Sequence, residues 1–285
     1  MENVIEIKNL TKKYPGFTLA GINLSVPKGT IMGFIGENGA GKSTTIKTML
    51  TIIPKDKGEI NLLGKSMETS EKRIKQDIGV VLDDSFLSDY LSLEDIDSIM
   101  KQFYQKWDKN LFDTYTKQFN LPKEKKIKEY STGMKMKLKI ATALSHHPQL
   151  LILDEPTSGL DPVVRSEILD IFRDFIQDEE HSIFLSSHIT SDLEHIADYI
   201  TFIHQGKIIL SKSRDELLEE YGVVKCSQND FETIDPNDYV QYKKNRYQVD
   251  VLVENRTQFK KKYHQLLIDK PTIDDIMLLS IKGDK

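Results

Sequence analysis

The sequence predicts an α/β fold organised around a phosphate-binding loop, and two observations carry that prediction. The first is Gly36-Glu37-Asn38-Gly39-Ala40-Gly41-Lys42-Ser43-Thr44, a match to G-x-x-x-x-G-K-[ST]. It sits between the apolar run 30–35 and the helical spacing of Ile46, Met49, Leu50 and Ile53, which makes the segment strand, loop, helix. The second is a pair of short apolar runs that end in reactive side chains: 150–153 leads into Asp154 and Glu155, and 183–185 leads towards His188. Continuous apolar runs of that length are strands buried on both faces, and a parallel sheet gathers its ligands at the carboxyl ends of such strands.

Each residue type in the loop has a physical task. Glycines let backbone N–H groups turn inward around a phosphate chain, the helix start adds its positive dipole end, and Lys42 reaches the outer phosphates. Ser43 is then placed to hold magnesium. Asp154 is a second candidate for the metal, through water, and Glu155 is the candidate general base on an attacking water, a role worth roughly 10²–10⁴ in rate. His188 is the third candidate in the site, whereas His146 and His147 lie in a turn beside Pro148 and receive no role.

With 285 residues the chain can form one large α/β core and a small appendage. A net charge of -5 and a pI near 5.9 supply no global reason to bind nucleic acid. Cys226 is the only cysteine, which excludes an intrachain disulfide and suits a reducing cytosol. The N-terminus alternates charge and apolar residues as a strand does, unlike a signal peptide. No apolar run approaches the ~20 residues that cross a bilayer, so a role in a membrane requires a separate membrane-embedded partner.

In chain order, residues 4–10 read as a strand, 11–16 as a turn and 17–26 as a second strand. Further strands follow at 59–64 and 78–82. Ser92 with Asp95 starts a mainly helical stretch that extends to Asn120, and Ser131 caps a helix carrying Met134, Leu138, Ala141 and Leu144. Ser213 with Glu216 opens a helix ending near Gly222, where the phosphate-binding core is expected to stop. The rest, 223–285, reads as a small α/β appendage with a strand at 247–253 and a helix started by Thr272 and Asp275. It lacks a glycine-rich loop or converging carboxylates, so it is expected to support pairing or regulation and not to touch nucleotide.

Taken together these motifs resemble the ATP-binding subunit of an ABC transporter, over residues 1 to about 222. Gly36 to Thr44 is similar to Walker A, Leu150 to Glu155 to Walker B, Ser158-Gly159-Leu160-Asp161 to the D-loop and His188 to the switch histidine. Tyr14 matches the adenine-stacking aromatic, and Tyr130-Ser131-Thr132-Gly133-Met134 the signature, with Thr132 in place of the usual glycine. The Q-loop glutamine is replaced by Asp83, or Asp84 in the alternative register, and Asp83 is thereby a further candidate magnesium ligand.

The resemblance implies a P-loop NTPase: a RecA-like core with an antiparallel β subdomain and a helical subdomain. It implies ATP and Mg2+ as cofactors, and two subunits, identical or not, closing head to tail so that the signature of one, with Ser131 and Gly133, faces the P-loop of the other; Asp161 of the D-loop is a further nucleotide-binding candidate. It also implies a membrane-embedded permease as partner, on the cytoplasmic face of the membrane, with no nucleic acid expected. The C-terminal segment 271–278 is similar to the tails of ATPases that serve bacterial drug, bacitracin-like and antimicrobial-peptide exporters. The alternatives are a soluble ABC ATPase acting on ribosomes or nucleic acid, and a nucleotide-binding switch with little turnover.

Overall fold

The computed structural model describes residues 2–82 and 87–283. An antiparallel sheet opens the chain: β1 (Asn3–Tyr14) pairs with β2 (Phe17–Pro27) and β4 (Lys57–Leu62), and β5 (Lys65–Ser66) completes the order β2-β1-β4-β5. β1 runs past Leu10, where the sequence predicts a turn, and ends only at Tyr14. Irregular pairing between Ile7 and Lys12, with Asn9 at φ 51°, lets the strand absorb the break in its alternation and continue.

The central sheet has the order β10-β9-β3-β8-β7-β6. Its members are β3 (Ile31–Ile35), β6 (Ile78–Val81), β7 (Leu150–Asp154), β8 (Ser182–Ser187), β9 (Tyr199–His204) and β10 (Lys207–Ser213). All run parallel except β10, which returns antiparallel beside β9. Alternate residues of β3 and β7 feed two different cores. Ile31, Ile35, Leu151 and Leu153 join the cluster under the helices, while Met32, Phe34, Leu150 and Ile152 join the one under the antiparallel sheet. Burial on both faces is why these strands read as unbroken apolar runs.

α1 (Lys42–Met49) follows β3, and α2 (Met67–Ile74) follows β5. The helical layer comprises α3 (Leu93–Phe103), α4 (Lys109–Gln118) and α5 (Thr132–Leu144). Ser92 and Asp95 form the expected capping box on α3. α6 (Pro162–Phe175) and α7 (Thr190–Ile196) then bridge β7 to β8 and β8 to β9; neither is foreseen from the sequence, although Asp161 before Pro162 is a helix-start pair.

At α8 (Arg214–Glu219) only half of the expected capping box forms. Ser213 Oγ accepts from Glu216 N at 3.1 Å, but the Glu216 carboxylate turns to Lys212. A third sheet, antiparallel with the order β12-β13-β11-β14, combines β11 (Gly222–Cys226), β12 (Gln241–Lys244), β13 (Val249–Val253) and β14 (Ile268–Asp269). α9 (Gln228–Phe231) and α10 (Arg256–Lys262) lie within this part, and α11 (Ile273–Lys282) ends it, started by a capping box of Thr272 and Asp275. Ile273, Ile276 and Leu279 of α11 pack into the same cluster as Leu193 and Ile196 of α7 and Leu217 of α8. Gly222 marks a change of sheet: Val223 and Leu252 join the cluster under the helices, whereas Val224, Phe231, Val251 and Phe259 belong to a separate cluster of the third sheet. Among the described residues no helix is long and apolar enough to cross a membrane.

Candidate active site

β3 delivers the chain to Gly36 at the edge of β9, where a Cβ would stand 2.4 Å from the Ile203 carbonyl oxygen. Only glycine can pass there. At the far end of the loop Gly41 takes φ 114°, a left-handed backbone that side chains rarely adopt, and α1 starts on it without any side-chain cap. The first N–H groups of α1 are thus left to face whatever the loop holds.

Lys42 is only 6% exposed, and its Nζ donates to Gly36 O at 2.7 Å and Glu37 O at 3.4 Å. It also lies 3.2 Å from Glu155 Oε1. The other oxygen of that carboxylate, Oε2, accepts from the His188 backbone N–H at 3.2 Å and sits 2.7 Å from His188 Nδ1. Residues from the starts of one helix and the ends of two strands therefore converge on a single carboxylate. Glu155 has φ 52°, and its N–H donates to Ser186 O at 3.1 Å and Ser186 Oγ at 3.2 Å. A left-handed glutamate is uncommon, and here the strained residue is the candidate base.

Asp154, one residue earlier, is 1% exposed and accepts from Ser186 Oγ at 2.5 Å. The cleft at the loop encloses about 840 Å³ and is lined by Glu37, Asn38, Gly39, Gly41, Lys42, Ser43, Thr44, Glu155 and His188, together with Gly16, Phe17 and Ser158. Ala40 is buried beneath it, its carbonyl accepting from Gly206 N at 2.9 Å. Of the two candidate metal ligands described, Ser43 lines the cleft, whereas Asp154 is not among its lining residues; a hydroxyl and a carboxylate are the donor types that suit a hard cation such as magnesium. No group of three or more His, Cys, Asp or Glu positioned to hold a metal occurs among the described residues. Asp83, and the alternative Asp84, lie outside the described residues.

Tyr14, Ser131, Gly133 and Asp161 are not among the residues that line this cleft. Tyr14 is exposed at the hairpin tip, its ring 5.6 Å from Lys12 Nζ, and the aromatic that borders the loop is its cross-strand partner Phe17. A Cβ on Gly41 would lie 2.9 Å from the Phe17 ring. Ser131 caps α5, accepting from Met134 N at 3.2 Å, and Gly133 faces Val164 of α6. Asp161 caps α6, accepting from Val163 N and Val164 N at 3.1 Å each. His146 is buried against the Tyr104 ring at 3.8 Å with Nε2 3.0 Å from Ile78 O, and burial lowers its pKa; His147 pairs with Asp108 at 3.3 Å.

Phe17 and Ser186 are not singled out by the sequence, and Ser158 enters there only as part of the D-loop match; the register of the first hairpin is the signal that would have found Phe17. The appendage also comes nearer the loop than its sequence suggests. Lys282 Nζ of α11 lies 3.7 Å from Glu37 Oε1, and His204 Nδ1 lies 3.6 Å from Glu37 Oε2.

Comparison with known proteins agrees with this geometry. The ABC transporter family model matches residues 19–158. Over 221 residues the chain is 38% identical to the bacitracin transport ATP-binding protein BcrA of Enterococcus faecalis, spanning 76% of this chain and 71% of that protein. It is 39% identical over 222 residues to the lantibiotic transport ATP-binding protein SrtF of Streptococcus pyogenes, spanning 76% and 95%. A solved ATP-binding subunit of an ABC transporter superposes with a TM-score of 0.67 at 25% identity, covering 75% of this chain and 91% of that one. CbiO1 from Clostridium perfringens, part of the ABC transporter complex cbiONQ, gives 0.64 at 26% identity, with 76% and 91% covered. With its P-loop NTPase fold and its ATP-binding site, the chain belongs to the ABC transporter family of ATPases.

Proposed function

We propose that this chain binds ATP with magnesium, hydrolyses it, and so energises export of a drug or amphipathic peptide through a separate membrane-embedded permease. The observation that carries the hydrolytic part is the Glu155 carboxylate, held 3.2 Å from Lys42 and 2.7 Å from His188 at the mouth of the phosphate loop. The cargo class follows from the relatives, whose names assign them to bacitracin and lantibiotic transport.

ATP enters with its phosphates against the loop amides and the uncapped start of α1, where N–H groups and the helix dipole favour negative charge. Lys42 exchanges the Gly36 carbonyl for the outer phosphate oxygens. That exchange draws its ammonium away from Glu155 and leaves the carboxylate free to accept a proton from the water that attacks the γ-phosphorus. His188 holds the carboxylate through its backbone N–H and ring, and keeps it aimed into the cleft. Magnesium, when bound by Ser43 and Asp154, supplies positive charge that offsets the charge building on the β- and γ-phosphates.

Ser131, Gly133 and Asp161 lie outside the chain's own cleft, which supports a second ATPase subunit, identical or different, packed head to tail so that each signature helix meets the other's nucleotide. The unit that does this work is 1–222, and 223–285 serves pairing or regulation. The chain sits peripherally on the cytoplasmic face of the membrane through the permease, with no nucleic-acid partner.

Affinity purification from membranes and cytosol, followed by ATPase assays in vesicles with and without an amphipathic peptide, tests the reading. A polytopic membrane protein should copurify, and peptide should raise turnover. Ribosomes in its place would overturn the proposal.

A further inference from the structure

We propose that Asp192 is a positioning residue for ATP hydrolysis, locking the turn that follows Glu155 to the helix that follows His188. The proposal rests on the hydrolytic role of those two residues. Asp192 lies in the first turn of α7 and is 2% exposed, so its carboxylate depends on protein partners. Oδ2 accepts from Thr157 Oγ1 at 2.7 Å, while Oδ1 receives the Arg165 guanidinium through both Nε and a terminal nitrogen. Arg165 also donates to Ser191 Oγ at 2.8 Å.

These partners come from separate segments. Thr157 belongs to the turn after β7 that contains Glu155, Arg165 to α6, and Asp192 to the helix reached directly from His188. Pairing of Asp154 with Ser186 holds β7 and β8 together up to their ends. Past that point two side-chain bridges span the gap: Glu155 to His188, and Thr157 to Asp192. The outer bridge lies partly in solvent, His188 being 43% exposed and Glu155 13%, whereas Thr157 and Asp192 are both 2% exposed. The buried bridge is the fixed point from which the outer one takes its geometry.

Thr157→Val in the full chain deletes the donor and keeps the shape. We expect kcat for ATP to fall about tenfold, with the Kd for ATP changed less than about twofold, because a misplaced base slows chemistry without removing the phosphate contacts. Thr157→Ser should restore the rate. Combined with His188→Ala, Thr157→Val should lower kcat no further than His188→Ala alone, since the two act through one constellation. A wild-type kcat in Thr157→Val, or losses that multiply in the double variant, would overturn the proposal and leave the cluster a staple of the fold. Should Thr157→Val not fold, Arg165→Lys, which keeps the charge and loses the fork, carries the same expectations. Glu155→Gln run alongside separates the two levels. Full turnover there would sink the hydrolytic reading itself, while a dead Glu155→Gln beside an undiminished Thr157→Val would sink only this inference.

Discussion

The helices α1 and α5 both begin with backbone N–H groups that have no partner inside the helix. Ser131 supplies α5 with an acceptor at 3.2 Å, and Gly41 supplies α1 with none. Among the described α-helices only α1 and α7 start without a side-chain cap, and both start beside the cleft, one from the phosphate loop and the other just past His188. Elsewhere a Ser, Thr, Asp or Asn finishes the helix from within the chain. In α1, eight residues long, the open position coincides with a glycine loop and a buried lysine, the setting in which the proposed phosphate would supply the missing acceptor.

The largest expected effect separates binding at the open start from chemistry opposite it. Glu155→Gln removes the proposed base and leaves Lys42, Ser43 and the loop amides, so turnover should fall at least about 10²-fold while ATP binding persists or tightens. A hydrolysis assay paired with a binding titration checks this, and an undiminished rate would end the role of Glu155. Next comes Gly41→Ala, which puts a Cβ at φ 114° and 2.9 Å from the Phe17 ring. Strain of about 1–3 kcal/mol at the loop should weaken ATP binding about tenfold. Unchanged affinity would mean that the start of α1 does not receive the phosphates.

Ser131→Ala tests the capped member of the comparison. Losing the cap should cost about 1 kcal/mol of stability in a denaturant titration, yet leave the isolated subunit's ATP affinity unchanged, because Ser131 lies outside its own cleft. A drop in that affinity would place the two helix starts in one site. The smallest effect concerns His146, just past the far end of α5. Burial lowers its pKa from the usual 6.5, so in falling pH the unfolded chain takes up a proton that the folded chain refuses. Stability attributable to this residue is present above about pH 6.5 and declines as pH falls below it. His146→Gln should flatten that slope in melting curves between pH 7 and pH 5; an unchanged slope would assign the acid sensitivity to other groups.

The sequence is most informative where structure follows from contiguous residues. The phosphate loop, the buried strands at 150–154 and 182–187, and the caps Ser92, Ser131 and Thr272 could all be read directly, because glycine geometry, apolar run length and a side-chain acceptor three residues ahead act within one turn or one strand. β1 is less legible, since a bulge let it outrun its apolar alternation. Glu155 was identifiable as a candidate base from the strand before it and the loop far upstream, but not its contact with both Lys42 and His188.

By itself, then, the sequence determined an α/β chain with a phosphate loop, a carboxylate pair at one strand end and a histidine at another, all set by local chain chemistry. The tertiary structure decided which of these meet. β8 enters the sheet between β3 and β7, and that neighbour order brings His188 to Glu155 and Glu155 to Lys42. It also decided that Phe17 and not Tyr14 borders the loop, that α11 returns to the main core with Lys282 near Glu37, and that Thr157, Arg165 and Asp192 close on one buried carboxylate. Strand neighbours and helix returns depend on burying apolar faces contributed by residues far apart in the chain, which no single segment encodes.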